Sequence, residues 1–212
     1  MLEQPLKFFV VFFVVVEPVS LIPIFSGLTA GATPAYKRRM ALQAVGISAA
    51  ILLLFALGGA SFLALMGISI EAFRIFGGLL LFLLALEMVF ARESGARTSS
   101  SEEAESRRRA DISVFPLAFP FIAGPGALAT ILLWFSPLHF PAQSALFGAY
   151  LVAVAVVLAL NLVLMLLAEP LMRVIGVTGA NVASRLLGVI LGALAVQFVL
   201  DGLRQAFGVS SA

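Results

Sequence analysis

The sequence predicts an all-α integral membrane protein with six transmembrane helices in two inverted three-helix repeats, the first and fourth helices broken at Pro and Gly. Three observations lead there. Hydrophobic residues make up 62% of the 212 and charged residues 11%, against roughly a half and a quarter in globular chains. The apolar residues fall into blocks, each near the roughly 20 residues a helix needs to cross the hydrocarbon core. A Pro-x-x-x-x-Pro pattern also recurs, at Pro18 and Pro23 in the first block and at Pro120 and Pro125 in the fourth.

Taken in order, the predicted spans are Leu6–Thr29, Ala41–Met66, Phe73–Ala91, Ile112–Trp134, Gln143–Ala168 and Ser184–Phe207. The first contains Glu17 but also 16 Leu, Ile, Val or Phe residues. Each of these favours insertion by about 0.3–0.6 kcal/mol at the helix centre, against about 3 kcal/mol for one mid-span charge, so the segment still inserts. No basic n-region with a small-residue cleavage site precedes it, and it reads as a retained span rather than a signal peptide.

Between the third and fourth spans lies the only long polar stretch, residues 92–111. It has mixed charge and no apolar periodicity, and reads as a cytoplasmic linker between repeats at 1–91 and 112–212. Its Arg107–Arg109 run is also suited to anionic lipid. With both termini outside, the inner loops hold ten Lys and Arg residues and the outer side only Lys7, Arg74 and Arg204, the bias expected of cytoplasmic loops.

Three spans per half is an odd number, so the halves cross with opposite orientation. Arg74, Gly77, Leu80 and Leu83 of the third span align with Arg185, Gly188, Leu191 and Leu194 of the sixth. Inverted repeats whose corresponding spans are interrupted by Gly or Pro point to a secondary transporter with a site at the interruptions.

At those interruptions, proline leaves carbonyls without donors: those of Val14 and Val19 for Pro18 and Pro23, and that of Phe121 for Pro125. Gly124 and Gly126 flank Pro125, and that stretch is expected to be unwound. The N–H groups opening the second half-helices, at Gly126–Leu128 or Ser20–Ile22, suit an anion such as a carboxylate. Glu17 and the freed carbonyls suit a cation. A zwitterion has one group for each end. The substrate-binding candidates are Glu17, Pro18, Ser20, Pro23, Gly124, Pro125, Gly126, Ala127, Thr130 and Gln197, with Glu17 also the ion-coupling candidate, because ionisable groups in mid-membrane mark ion or substrate paths. The opposing reading makes the breaks packing kinks and Glu17 a neutral side chain bonded to its own helix.

Other polar residues carry less. Glu87 is placed to line a path or to pair with Arg92, and Asn161 and Gln197 to bond across helices. Asp201 and Arg204 read as an interface pair, Arg74 and Arg185 as helix-end residues, and Gly188-x-x-x-Gly192 as a close-packing motif. The chain has no cysteine, and its single histidine, His139, falls in a short connection. These counts disfavour thiol chemistry, metal binding and membrane enzymes, so no metal or resident cofactor is expected, and the protein is not expected to be an enzyme. The basic residues lie between apolar blocks, which argues topology and not nucleic-acid binding.

The chain resembles the MarC family of multi-pass membrane proteins over nearly its whole length. The resemblance is carried by residues 18–29, 67–70 with 74–78, 115–120 with 123–126, 184–188 and 196–198. It implies a cell-membrane transporter of small neutral amino acids such as alanine or glycine, working in the lipid bilayer on a small zwitterionic solute, with Na⁺ or H⁺ as coupling ion. The family pattern has Asn or Asp where this chain has Glu17, and Asn where it has Asp201. Rival expectations are an exporter or pathway for another small molecule, and a structural or regulatory membrane protein.

Overall fold

The computed structural model describes residues 3–90, 111–138 and 143–208, and every regular element among them is helical. In chain order these are α1 (Glu3–Val16), α2 (Leu21–Leu28), α3 (Pro34–Leu65), α4 (Ile70–Phe90), α5 (Ser113–Ile122, wound in wide turns), α6 (Pro125–Phe135), α7 (Ser144–Leu166) and α8 (Ala168–Ala206). The linker expected at 92–111 lies outside the described residues except for Asp111, as do His139 and Arg107–Arg109.

Polar side chains at the water-facing ends mark where several helices begin. Thr33 Oγ1 accepts from the Tyr36 N–H at 3.3 Å and Pro34 follows at the first helical position, a strong start signal. The second span therefore begins seven residues earlier than hydropathy predicts and takes Lys37–Arg39 into the helix. Ser69 caps α4 by accepting from Ala72 N at 3.1 Å. Asp111 accepts from both the N–H and hydroxyl of Ser113 at 2.8 and 2.6 Å, and these bonds hold its carboxyl below the usual carboxylate range. α8 extends well before the predicted sixth span. Gly176, at φ +67° and ψ 173°, breaks it, and the apolar membrane-crossing part starts at Thr178. Lys37 donates to Glu169 and so ties the start of α3 to the start of α8; that bond and the ammonium charge lower the Glu169 carboxyl.

Among the described residues, four helices are long and apolar enough to cross a membrane: α3, α4, α7 and α8 from Thr178. Two bent pairs, α1 with α2 at 40° and α5 with α6 at 54°, pass as single broken spans, which makes up to six. Leu54, Leu57 and Leu65 of α3, and Leu186 and Val189 of α8, are more than 60% exposed. Such continuous apolar surface belongs against lipid.

The core is divided along the same lines. α4 lies along α8, α7 covers α1 and α2, and α3 covers α5 and α6; α2 also packs on α8, and α6 on α4. Phe8 and Phe12 stack at 5.4 Å and join Phe135 and Tyr150 in an aromatic cluster linking α1, α6 and α7. The α4–α8 contact depends on missing side chains. A Cβ on Gly78 would meet Val199 Cγ2 at 2.7 Å and the Ala195 carbonyl oxygen at 2.8 Å, and one on Gly188 would meet Met88 Cβ at 2.7 Å. The Gly188 motif thus packs within the chain.

Gly78→Ala is expected to cost about 1–3 kcal/mol, because the obstructing atoms include backbone. Gly46→Ala, where a Cβ meets nothing within 4 Å, is expected to be neutral or to stabilise by up to about 1 kcal/mol. Thermal unfolding of both variants in nanodiscs checks the contrast.

Candidate functional site

The two interruptions follow one local plan. Each contains a proline five residues before the next, Pro18 or Pro120, and each second half-helix carries that next proline in its first turn. There the missing N–H has no intrahelical partner to lose. Pro23 and Pro125 therefore start helices rather than break them. Val19 O, expected free, accepts from Ile22 N at 3.2 Å.

The breaks then diverge. At the first, α1 ends with Glu17 N donating to Phe13 O at 2.9 Å, and Glu17 itself has φ +53°. The left-handed region costs a non-glycine residue about 1–2 kcal/mol, so packing holds this backbone in place. Glu17 is 1% exposed. Its Oε1 accepts from the Ser20 hydroxyl, and Ser20 Oγ lies 2.7 Å from Ser184 Oγ of α8. A carboxylate and two hydroxyls thus form a polar cluster between the start of α2 and α8.

At the second, residues 112–123 are unwound into two wide turns, closed by Leu117 N to Ile112 O at 3.3 Å and Ala123 N to Ala118 O at 2.8 Å. Phe115 and Phe119 are extended and precede cis prolines. Ser48 of α3, bonded to its own Ala44 O, also reaches the Ala118 carbonyl at 3.4 Å. Gly124 is extended, and a Cβ there would fall 2.1 Å from Pro120 O. Of the N–H groups expected to receive an anion, Leu128 N donates to Gly124 O, and Ser20 and Ile22 N donate within the first break. Among the described residues, Gly126 and Ala127 N–H have no backbone partner. Both residues line a cavity of about 20 Å³ with Val15, Leu84, Pro120 and Phe121. That is room for about one water molecule, and too little for an amino acid.

The structure brings Glu17, Pro18 and Ser20 together, and separately Gly124, Pro125, Gly126 and Ala127. Val15 of α1 joins the two regions: it walls the cavity, and a Cβ on Gly126 would lie 3.3 Å from it. Glu17 is not among the walls of this cavity, so the two charge-complementary ends do not meet in it. Thr130 is buried with its hydroxyl donating to Gly126 O at 2.9 Å. Gln197 is exposed and donates to Asp201 at 2.8 Å, away from both breaks. Asn161, expected to bond across helices, donates instead to Val157 O, one turn back in its own helix, at 2.9 Å. Ser184 and Ser48 were missed as contacts of the breaks. Ser184 sits in a segment already marked by the family pattern; Ser48 carries no local signal.

Each second half-helix also walls a larger cavity at its own end of the bundle. The end of α2, with Ser26 and Thr29, borders about 250 Å³ beside Lys37 and Glu169. The end of α6, with Leu133 and Trp134, borders about 430 Å³ at the opposite end, beside Arg74 and Asp201.

Comparison with known proteins places these features in a group. Residues 2–207 match the model of the MarC family of integral membrane proteins. The UPF0056 membrane protein YhcE of Escherichia coli K12 is 37% identical over 95% of this chain and 92% of its own length. YvbG of Bacillus subtilis is 35% identical over 95% and 94%, and a UPF0056 membrane protein of Pyrococcus abyssi 33% identical over 93% and 92%. No solved structure matches.

The Ser20–Ser184 contact is testable as an energetic link between the first break and α8. A double-mutant cycle of Ser20→Ala and Ser184→Ala in unfolding experiments is expected to give a coupling of about 0.5–1.5 kcal/mol. Additive losses would show that the hydroxyls do not interact.

Proposed function

The chain belongs to the MarC family of integral membrane proteins, and from that premise we propose that it is a secondary transporter of small neutral amino acids of the alanine or glycine type, working by alternating access driven by an Na⁺ or H⁺ gradient. The observation that carries this reading is the buried carboxylate of Glu17, set in a strained backbone inside one of two similarly interrupted spans. An ionisable group at such a depth is costly, and strained backbone concentrates where function requires it.

The packing supports an inverted repeat. Exchanging the two halves turns the contact of α2 with α8 into that of α6 with α4, and the cover of α7 over α1 and α2 into that of α3 over α5 and α6. The two end cavities, each walled by the second half of a broken span, exchange in the same way. In this proposal residues 1–91 and 112–212 are the repeats, 92–111 is a cytoplasmic linker, and both termini face outside.

Glu17 is the coupling group: it holds the ion, with the Ser20 and Ser184 hydroxyls adjusting to its charge. The Gly126 and Ala127 N–H groups receive the substrate carboxylate once the half-helices move apart. The 20 Å³ cavity then represents the closed centre between two alternately opened ends. Export of another small solute is the second reading within transport, and shares this machinery.

Glu17→Gln keeps the acceptor for Ser20 and the side-chain size. It is expected to insert and fold normally while lowering gradient-driven alanine uptake into proteoliposomes at least about tenfold, a loss of about 1.4 kcal/mol. Uptake with unchanged rate and unchanged pH and Na⁺ dependence would remove Glu17 from the mechanism. A panel of other radiolabelled solutes separates the second reading.

A further inference from the structure

The closed centre leaves open where a solute is first held, and the larger end cavity carries the chemistry for it. That cavity, about 430 Å³, is lined by Gln4, Lys7, Arg74, Trp134, Tyr150 and Asp201 among others. Lys7 is already paired with Glu3 at 2.6 Å. Arg74 is half-buried, and among the described residues its guanidinium has no carboxylate within salt-bridge distance. Asp201 is also half-buried. Its Oδ1 accepts from Gln197 at 2.8 Å and lies 3.8 Å from the exposed Arg204, while Oδ2 has no partner among the described residues.

Arg74 and Asp201 are held near each other without being paired. A Cβ on Gly202 would lie 2.7 Å from Ile75 Cγ1 and 3.2 Å from the Ile75 nitrogen. The residue after Asp201 thus presses on the residue after Arg74, and both charged side chains open into the same space. A planar guanidinium suits a carboxylate in bidentate geometry. A carboxylate with a free oxygen suits an ammonium. The walls between them are apolar and aromatic, from Leu133, Trp134, Tyr150 and Phe198.

We infer that this vestibule is a capture site for a free zwitterionic α-amino acid, with Arg74 receiving its carboxylate and Asp201 its ammonium before it reaches the interrupted spans. The inference rests on the amino acid transport reading for its ligand and extends it to residues that reading does not use. The vestibule is separated from the second break by the length of α6 between Gly126 and Trp134, about 12 Å at 1.5 Å per residue. It is therefore a distinct station on the path and not a wall of the closed centre.

Trp134 is the only tryptophan in the chain and lines this cavity, so its fluorescence reads the site directly. The full chain in phosphatidylcholine nanodiscs is titrated with alanine, with alaninamide (no carboxylate) and with propionate (no ammonium). Alanine is expected to give a saturable change, with both analogues at least about tenfold weaker. Arg74→Gln should weaken alanine at least about tenfold and leave alaninamide unchanged; Asp201→Asn should weaken alanine and leave propionate unchanged. Arg173→Gln, exposed and at the other end of the bundle, should match wild type, and thermal melts establish that each variant is folded. A silent Trp134, or equal responses in all variants, overturns the inference. If proteoliposome uptake persists in that case, the transport reading stands without it. If the Arg74-dependent response is present but uptake is absent, the capture site stands and the transport reading fails. A Trp134 response to added phosphatidylethanolamine in place of alanine overturns the inference in favour of a lipid headgroup.

Discussion

The structure depends on one constraint: hydrocarbon cannot bond to a backbone N–H or C=O, so a break in a transmembrane helix must be enclosed by protein. The two broken spans are enclosed. Most residues from Ile112 to Phe135 are buried, Val114 and Phe119 being the exposed ones, and so are most residues from Val11 to Ile22. The outer ring is built from unbroken stretches of α3, α4, α7 and α8, which carry the exposed leucines and valines. Inside it, the loose backbone groups are met locally by the wide turns of α5, by the Ser48 hydroxyl and by the turn at Glu17. Glycines at 59, 78, 126 and 188 allow the ring to close on the breaks, since a Cβ at any of them would meet a neighbour at 2.7 Å or less.

That enclosure shapes the proposed chemistry. With the walls this close, the N–H groups of Gly126 and Ala127 line a space of about 20 Å³, and Glu17 is held instead by Ser20, whose hydroxyl in turn meets Ser184. Under the transport reading, an amino acid is admitted only when half-helices separate, and α2 and α6 are the short pieces placed to do so. Each borders an end cavity at one tip and a break at the other. The αL backbone at Glu17 fits a hinge whose strain of about 1–2 kcal/mol is carried by the closed packing.

The blocks of hydropathy, the two proline pairs and the buried position of Glu17 were legible in the sequence because each is a local property. Boundaries were less legible where two signals conflict. Hydropathy excludes Lys37–Arg39 from the second span, whereas the Thr33–Pro34 start extends α3 over them; a window that averages polarity cannot register a cap. The consequence of the prolines was half legible. Their spacing marks the breaks, but the carbonyl of Val19 and the N–H groups of Ser20, Ile22 and Leu128 find partners within the turns, which proline rules alone do not foresee. Gln197 was read as a wall of the site, and its place on the exposed face of α8 depends on how that helix is rotated.

By itself, then, the sequence determined what each segment is: apolar enough to sit in lipid, interrupted at two matching points, and charged at one of them. Periodicity, proline chemistry and transfer free energy act over a few residues and need no fold to operate. Only the tertiary structure decided which groups meet. Ser184 reaches Ser20 across 164 residues of chain, Ser48 reaches Ala118, and Arg74 and Asp201 open into one cavity because Gly202 lets α8 press against α4. Such pairings follow from the contact of helix faces, whose rotation and depth are set by packing between distant segments and leave no mark in either segment alone.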